Sequence, residues 1–480
     1  MVKRLFGASL TCWTLALAGI ALCAHPLALA QKNGTSTPQP GHPARPRLLS
    51  GRLPDKPSQP PAFKIAVETL GFSAPGPYYL GQLTSAVSLD FLDEDRLLFT
   101  FRVPGLIHRD AQERNAGERD ERQIRAMVLK LPAGTIEAEA LWTVHDQARY
   151  LWMLNDGHFL LRDRNNLEAG DASLELKPYL RFPGPLSWVE MDPTQQFLVT
   201  NSSEPVPHKS SDPPAPATQN PTDQNLSLGT PAAHSTSEQS LALGLDASAS
   251  AAPDPPADVQ KPASEPDLAL RILRRDTGQV LLVSRTRTAV HLPINSDGYL
   301  ESLRTRGKAW LLNLNYFSGG STILGQVDSA CSPLFEFLSQ REVLVTGCTA
   351  LGEDKLVAMT TDGRHLWEAQ SAPTTVWPQV VRAPNGLRLA RETLVLPYPV
   401  NARSPLDPEE VKGQVVDVLD AADGNLALET TASPALDAGG NVAISPSSRR
   451  VAVLHEGAIE VFELNAPPPL QQPAAQPPSR

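Results

Sequence analysis

Short apolar runs on either side of a polar turn recur along the chain. The last copy reads VAISPSSRRVAV, where the tetrapeptide SPSS separates two runs of Val, Ala and Ile. Asp, Asn, Ser, Pro and Gly favour tight reversals, and β-branched or aromatic runs favour strands. Each copy therefore predicts a β-hairpin. The seven copies have their turns near Asp93, Asn155, Asp192, Asn295, Ser339, Pro384 and Ser445.

The spacing of these turns indicates one repeating unit. Three steps are similar, at 192 − 155 = 37, 339 − 295 = 44 and 384 − 339 = 45 residues. The other steps, 62, 103 and 61 residues, each contain an insertion, namely His108 to Arg122, residues 202 to 266 and Pro397 to Gly413. Removing the 65 residues of 202 to 266 reduces 103 to 38. A period of about 40 residues is the length of one four-stranded propeller blade.

A second turn follows in several units and indicates where the third and fourth strands meet. These turns lie at Gly134, Gly278, Gly363 and Gly424. The last unit, ending in GAIEVFEL, is one strand short. We expect Phe63 to Phe72, FKIAVETLGF, to supply the missing strand and close the ring, because closure protects sheet edges that would otherwise be unpaired. The strands of the second unit, DRNNLEAGDASLEL, cannot be placed from the pattern.

Two segments carry a family resemblance. VAISPSSRRVAVLHEGAIEVFEL resembles a WD40/YVTN-like propeller repeat, and TTDGRHLWEAQ resembles a quinoprotein-type repeat with Trp367 near its end. The resemblance implies an all-β fold made of a single β-propeller. We expect seven four-stranded blades, with disordered tails and one long disordered insertion. Six or eight blades are alternatives, as are two or more β-sandwich domains, which also produce short strands at regular turns.

The first thirty residues are typical of a signal peptide. Two basic residues precede an apolar run, and ALA precedes a predicted cleavage between Ala30 and Gln31. A transmembrane anchor is a weaker interpretation, because the apolar run is barely long enough and no stop-transfer charges follow. A lipid-modified Cys23 is a third interpretation, although Leu22 stands where such sites need a small residue. We expect an exported protein, periplasmic or extracellular, that does not span the membrane.

Composition separates the rest of the chain into segments expected to be disordered and a segment expected to fold. Residues 31–62 and 465–480 are Pro-rich and Pro/Gln-rich, and residues 202–266 contain almost no aromatic or β-branched side chains. Such segments bury too little apolar area to offset the entropy of ordering, so all three are expected to be disordered. The propeller is then expected over residues 63–464. The formal charge of −10 becomes −12 once the two basic residues of the signal leave, which argues against a nucleic-acid partner.

The two cysteines outside the signal segment are predicted to form a disulfide. If Leu338 pairs with Arg341 across the turn, the residue numbers of every opposite pair in this hairpin add up to 679. The numbers of Cys331 and Cys348 also add up to 679, so these two residues should be opposite each other. Cys331 and Cys348 would then face each other in an oxidising compartment. Two free, buried thiols are the alternative.

All three insertions follow the second strand of their unit. In an antiparallel blade these connections lie on the same face as the connections between blades. The insertions should therefore emerge from one face of the disc, and loops on a rigid scaffold often carry function. The alternative is that exposed loops simply tolerate insertion.

The sequence contains no motif for catalysis, and it predicts no catalytic, cofactor-binding or metal-ligating residues and no cofactor. The histidines are interpreted as surface or satisfied strand residues. The tryptophans expected to pack between blades are Trp142, Trp152, Trp188, Trp310, Trp367 and Trp377. The leading hypothesis is a non-catalytic exported propeller that binds a protein or glycan partner through the face with the insertions. One alternative is a lyase, hydrolase or quinone-dependent dehydrogenase that uses the central funnel. Another is a subunit of an envelope assembly tethered by residues 202–266.

Overall fold

A computed structural model describes most of the expected propeller. The described residues are 47–76, 80, 82–105, 108–109, 120–145, 148–204, 268–305, 307, 309–399 and 407–469. They form β-strands and two short 3-10 helices, Glu68–Leu70 and Pro408–Glu410. The predicted signal segment and its cleavage at Ala30–Gln31 lie outside these residues and stay predictions.

The strands form seven sheets, as the repeat predicted, and each sheet is one blade. Two strands precede the first blade, β1 (Arg47–Leu48) and β2 (Phe63–Ala66). Blade 1 contains β3 (Val87–Phe91), β4 (Arg96–Arg102), β5 (His108–Arg109), β6 (Asp120–Lys130) and β7 (Thr135–Val144). Blade 2 contains β8 (Leu151–Met153), β9 (Phe159–Asp163), β10 (Asn166–Gly170) and β11 (Lys177–Arg181). Blade 3 contains β12 (Leu186–Met191), β13 (Phe197–Ser203), β14 (Leu268–Arg274) and β15 (Val280–Thr286).

The remaining blades follow the same order along the chain. Blade 4 contains β16 (Gly298–Arg304), β17 (Ala309–Tyr316) and β18 (Ser321–Asp328). Blade 5 contains β19 (Leu334–Phe337), β20 (Glu342–Cys348), β21 (Asp354–Thr360) and β22 (His365–Gln370). Blade 6 contains β23 (Thr375–Arg382), β24 (Arg388–Val395), β25 (Gly413–Asp420) and β26 (Leu426–Ala432). Blade 7 contains β27 (Val442–Ile444), β28 (Arg450–His455) and β29 (Ala458–Glu463).

Blade 4 lacks a regular first strand. The segment before β16 makes an isolated bridge between Ile294 and Tyr299, and the Leu300 amide donates to the Pro293 carbonyl at 2.9 Å. Pro293 has no amide hydrogen to contribute to a ladder, so this inner edge is irregular.

The N-terminal strand closes the ring, which confirms the expectation from the short last unit. β2 pairs antiparallel with β29, with Phe63 opposite Val461 and Ala66 opposite Ala458. The fourth strand of blade 7 therefore comes from the start of the propeller, and backbone hydrogen bonds join the two ends of the chain's folded part.

Residues 47–62 differ from the disorder expected for residues 31–62. β1 pairs in parallel with β22 on the outer edge of blade 5, and Leu49 is buried. Further along, the Ser58 amide donates to the Glu429 carbonyl of blade 6 at 2.8 Å. This strap is held by backbone hydrogen bonds to exposed sheet edges, which composition does not reveal. Residues 31–46 lie outside the described part of the chain.

The core lies between neighbouring blades. The middle strands are buried on both sides, and β24 is buried at all eight of its positions although it contains Arg391 and Glu392. One cluster joins blades 7 and 1, where the rings of Phe99 and Phe101 pack 5.3 Å apart between centroids. Stacking of blades buries both sides of the middle strands, so burial along these strands does not alternate between exposed and buried positions.

The long insertion in blade 3 starts later than expected. β13 continues to Ser203, so Ser202 and Ser203 belong to the strand. Residues 205–267 lie outside the described ranges, as does the tail from residue 470, and their predicted disorder stays a prediction. None of the helices in the described part of the chain has the length and apolar character needed to cross a membrane.

Candidate functional site

The three insertions leave the disc on one side. They connect β4 to β6, β13 to β14 and β24 to β25, which in each case are the second and third strands of a blade. Because neighbouring strands are antiparallel, these connections share a side with the blade-to-blade connections, and we call this side the insertion face. The opposite side, the turn face, carries the seven first turns near Asp93, Asn155, Asp192, Asn295, Ser339, Pro384 and Ser445.

A disulfide links Cys331 and Cys348 on the insertion face, with 5.4 Å between their Cα atoms. The bridge confirms the predicted disulfide, but the predicted register of the hairpin formed by β19 and β20 was wrong by one residue. Phe337 lies opposite Val343, so opposite positions sum to 680. The turn is one residue longer than expected, because the Leu338 amide donates to the carbonyl of Glu342 at 2.8 Å. Cys331 precedes β19, and this irregular position lets its sulfur reach Cys348.

Ionic contacts hold the root of the longest insertion. Glu204, the last described residue before residues 205–267, forms an ion pair with Arg271 on β14. It also lies 3.5 Å from the guanidinium of Arg285 on β15. The tract therefore leaves blade 3 from a fixed position on the insertion face.

Carboxylates from three blades face the central channel. Asp90, Glu190 and Glu336 each occupy the last but one position of a first strand, β3, β12 and β19. In β19 the neighbours Phe335 and Phe337 are buried between blades. Side chains alternate along a strand, so the acid between them points the other way, towards the axis.

Basic groups from two other blades meet two of these acids. His291 lies in the irregular first segment of blade 4, and its Nε2 is 3.1 Å from Glu190 Oε2. Arg382 ends β23, where its Nε is 4.0 Å from Glu336 Oε1 and its Nη1 donates to the Phe337 carbonyl. These contacts cross from blade 3 to blade 4 and from blade 6 to blade 5.

Arg149 and Asp90 share the channel without an ion pair. Arg149 Nε donates to the Leu151 carbonyl at 3.1 Å, and its guanidinium lies 5.5 Å from the centre of the Trp152 ring. Among the described residues, no carboxylate oxygen lies within 4.0 Å of Arg149. Asp90 Oδ2 accepts from the Ser88 hydroxyl at 2.5 Å. Arg149 nevertheless interacts electrostatically with Asp90, Glu336, Arg382 and Glu190. Groups from such distant blades can interact only near the axis.

The protein around the channel shifts the acid–base equilibria of these groups. Burial raises the pKa of Asp90 to about 6, although the Ser88 hydroxyl and Arg149 oppose the shift. Burial also raises the pKa of Glu336. For His291, burial lowers the pKa, but the hydrogen bond and charge of Glu190 outweigh it, so the pKa is raised. Arg149 keeps an exposed surface although protein surrounds it, as expected for a group that lines an open channel.

Trp188 corrects one expectation from the sequence. Trp142, Trp152 and Trp367 are buried between blades as expected, whereas Trp188 is 40% exposed. Its ring lies edge-on to His291, with 5.3 Å between centroids. Trp188 is two residues before Glu190 on β12 and therefore shares its channel-facing side. The side chain of Trp377 lies outside the described part.

These six residues form what we call the channel cluster (Asp90, Arg149, Glu190, His291, Glu336 and Arg382), which no sequence motif predicts. Its members lie in separate repeats, and each resembles an ordinary polar residue beside a turn or strand. Comparing the last residues of successive first strands would have singled out the three acids. Within the described ranges, no group of three or more His, Cys, Asp or Glu side chains could hold a metal ion.

Comparison with known proteins found similarity to solved structures but to no family. No protein family and no curated protein matches the sequence. An acylaminoacyl peptidase from Pyrococcus horikoshii is similar over 81% of this chain and 52% of that one, at 10% identity and a TM-score of 0.41. This chain thus spans about half the length of that peptidase. At such an identity the similarity concerns the fold alone.

Two further solved structures are similar over most of their own length. Hydrazine synthase from Kuenenia stuttgartiensis matches over 80% of this chain and 97% of that one, at 8% identity and a TM-score of 0.38. The β-propeller domain of the trilobed protease from Pyrococcus furiosus matches over 80% and 94%, at 9% identity and a TM-score of 0.38.

Proposed function

We propose that this protein is an exported, non-catalytic β-propeller that binds a protein or glycan partner through its insertion face. One observation carries the proposal: three separate blades each extend the same connection, so the extra chain gathers on one side of the disc. Chance tolerance of insertions would place them on both faces, because connections on both faces are exposed.

The insertion face is also rigid where the extra segments begin. The disulfide between Cys331 and Cys348 and the ion pair of Glu204 with Arg271 both lie on this side. A rigid base reduces the entropy lost when a partner binds. The disulfide and the signal-like first thirty residues support export into an oxidising compartment.

A three-way comparison of full-length proteins tests the proposal. The wild type, a variant with residues 205–267 replaced by a short Gly/Ser linker, and the turn-face variant Arg341→Glu are each cross-linked in native envelope extract. We expect cross-links from the wild type to one partner to map to the insertion face. The linker variant should lose them, and Arg341→Glu should keep them. Cross-links that map mainly to the turn face, or that survive in the linker variant unchanged, would contradict the proposal.

An enzyme that uses the central funnel is the second candidate function, and the channel cluster is the observation that favours it. A carboxyl with a pKa of about 6, such as Asp90, is suited to exchange protons near neutral pH. Hydrolysis or elimination of an envelope peptide or glycan, abolished by Asp90→Asn but retained in the linker variant, would establish this function.

A further inference from the structure

We propose that the channel binds a small dipolar ligand that carries one carboxylate and one ammonium group, as a free amino acid or short peptide does. Its carboxylate would bind Arg149 and its ammonium would bind Asp90. This inference does not depend on binding at the insertion face, because the channel cluster lies on or beside the first strands and on none of the insertions.

The ion pairs within the channel cluster leave Arg149 and Asp90 available to bind a ligand. Glu190 is satisfied by His291, and Glu336 lies beside Arg382. Arg149 and Asp90 have opposite charges and interact electrostatically, yet they make no direct ion pair. A ligand with both charges can contact both groups at once.

Arg149 is already oriented for a carboxylate. Its Nε is occupied by the Leu151 carbonyl, and its guanidinium is placed over the Trp152 ring. Its two terminal nitrogens have no hydrogen-bond acceptor among the described residues. A guanidinium can donate two parallel hydrogen bonds to a carboxylate, and fixing it beforehand reduces the entropy lost on binding.

The charge balance of the channel cluster selects a dipolar ligand. With His291 protonated, three acids face three cations, and the net charge is zero. A simple anion at Arg149 would also meet the carboxylates of Glu190 and Glu336, while a simple cation at Asp90 would meet Arg149. A neutral dipole avoids both repulsions.

The channel also offers an apolar contact. Trp188 is 40% exposed on the same side of β12 as Glu190, and its indole can pack against the apolar part of a ligand. Amino acids and dipeptides with apolar side chains should therefore bind more tightly than glycine.

The test is isothermal titration calorimetry on the full chain at pH 7. The probes are the twenty amino acids and glycylglycine, with acetate and methylammonium as controls that carry a single charge. We expect at least one dipolar probe to bind with a dissociation constant of about 1 mM or less. Both single-charge controls should bind at least about tenfold more weakly, because each loses a hydrogen bond to a charged group. This comparison needs no variant.

Three variants sharpen the result. Arg149→Gln and Asp90→Asn should each weaken the dipolar probe about tenfold or more. Arg304→Gln is the matched control, because the Arg304 guanidinium also lies over a tryptophan ring, 5.8 Å from the centre of Trp310, but outside the channel cluster. This variant should bind the dipolar probe with wild-type affinity. The proposal is overturned if no dipolar probe binds, if acetate binds as tightly as the dipolar probes, or if both channel variants retain wild-type affinity. Retained binding in the Gly/Ser linker variant would separate this site from the insertion face.

Discussion

The two faces of the disc are built by different means. On the turn face, short turns of different blades are joined by hydrogen bonds from side chains. Gln340 of blade 5 donates to Asp192 of blade 3 at 3.2 Å and accepts from the amide of Ser296 in blade 4 at 2.7 Å. Under the insertion face, charged groups are also buried within the strands. Arg391 and Glu392 on β24 are both completely inaccessible to solvent.

The difference shows which face can vary. The turns on the turn face contact one another, so a longer turn in one blade would disturb its neighbours. The connections on the insertion face are free to extend, provided that the blades beneath them keep the buried charges away from water. Four substitutions or sets of substitutions test this comparison, in order of decreasing expected effect.

Arg391→Met should be the most damaging change, because it removes a cation from a buried network. Arg391 Nη1 lies 3.4 Å from Asp417 Oδ2, its Nη2 donates to the Ser371 hydroxyl, and it also interacts with Asp354. Without it two acids are buried alone, at a cost of about 3–5 kcal/mol at pH 8. Urea unfolding measures the loss, and Arg341→Met on the turn face should change stability by less than about 0.5 kcal/mol.

The same network predicts how the loss depends on pH. Burial raises the pKa of both Asp354 and Asp417 to about 6, above the value for an unfolded chain. Acids with a raised pKa stabilise the fold below their unfolded-state pKa, and this contribution is lost as the pH rises through about 6. The Arg391→Met defect should therefore shrink between pH 8 and pH 5. A defect that is independent of pH would mean that the arginine acts mainly by packing.

Glu392→Gln should stabilise the protein in alkaline solution. Burial raises the pKa of Glu392 to about 8, and its Oε2 accepts from Gln414 Nε2 at 3.0 Å. The stability that this protonated acid contributes is lost as the pH rises through about 8. Glutamine keeps an acceptor and carries no charge, so the variant should gain on the order of 2–4 kcal/mol at pH 9 and little at pH 5.

Unfolding at the two pH values gives the measurement for Glu392→Gln. The exposed Glu137→Gln serves as its control and should show no comparable gain. If Glu392→Gln behaved like this control, the carboxyl would have access to water under the insertion face.

Loss of the disulfide should have the next largest effect. Cys331 and Cys348 are 17 residues apart, and a closed loop of this length contributes about 3 kcal/mol by restricting the unfolded chain. Replacing both cysteines by serine should lower the free energy of unfolding by about this amount. Alkylation of the unreduced protein at either cysteine would show that the bridge is absent.

Two glycine substitutions have the smallest expected effects on stability and test how tightly the turns of the turn face pack. Gly386 has φ = +71°, and a Cβ there would lie 2.1 Å from the Leu338 carbonyl oxygen of blade 5. Gly319 has φ = +95° but nothing within 4 Å of a Cβ. Gly319→Ala should cost about 1 kcal/mol for its backbone conformation, and Gly386→Ala about 1–2 kcal/mol more for the clash. Equal losses in thermal or urea unfolding would mean that the turns are loosely packed.

The repeat was predictable because its signals are local. A turn residue such as Asp192 or Gly363 acts on its own neighbours, and a period of about 40 residues is visible without knowing any contact. The strap at residues 47–62 was not predictable in the same way. Its Pro- and Ser-rich composition resembles a disordered tail, and its order comes from backbone hydrogen bonds to the edges of distant blades.

The disulfide was predictable from the sequence only in part. The hairpin pattern indicated that Cys331 and Cys348 would meet, but the register depended on one extra residue in the turn after Leu338. Turn length depends on the hydrogen bond that the backbone selects, and the side chains in SQRE do not specify it.

By itself, the sequence determined the β-strand content, the seven units, the strand that closes the ring and the positions of the insertions, since all of these follow from turn chemistry and hydrophobic spacing. Only the tertiary structure decided which ionisable groups meet. Asp90 and Arg382 are 292 residues apart, and each is one polar residue near the end of its strand. Closing the ring points the first strand of every blade towards one axis, and this convergence creates the channel cluster.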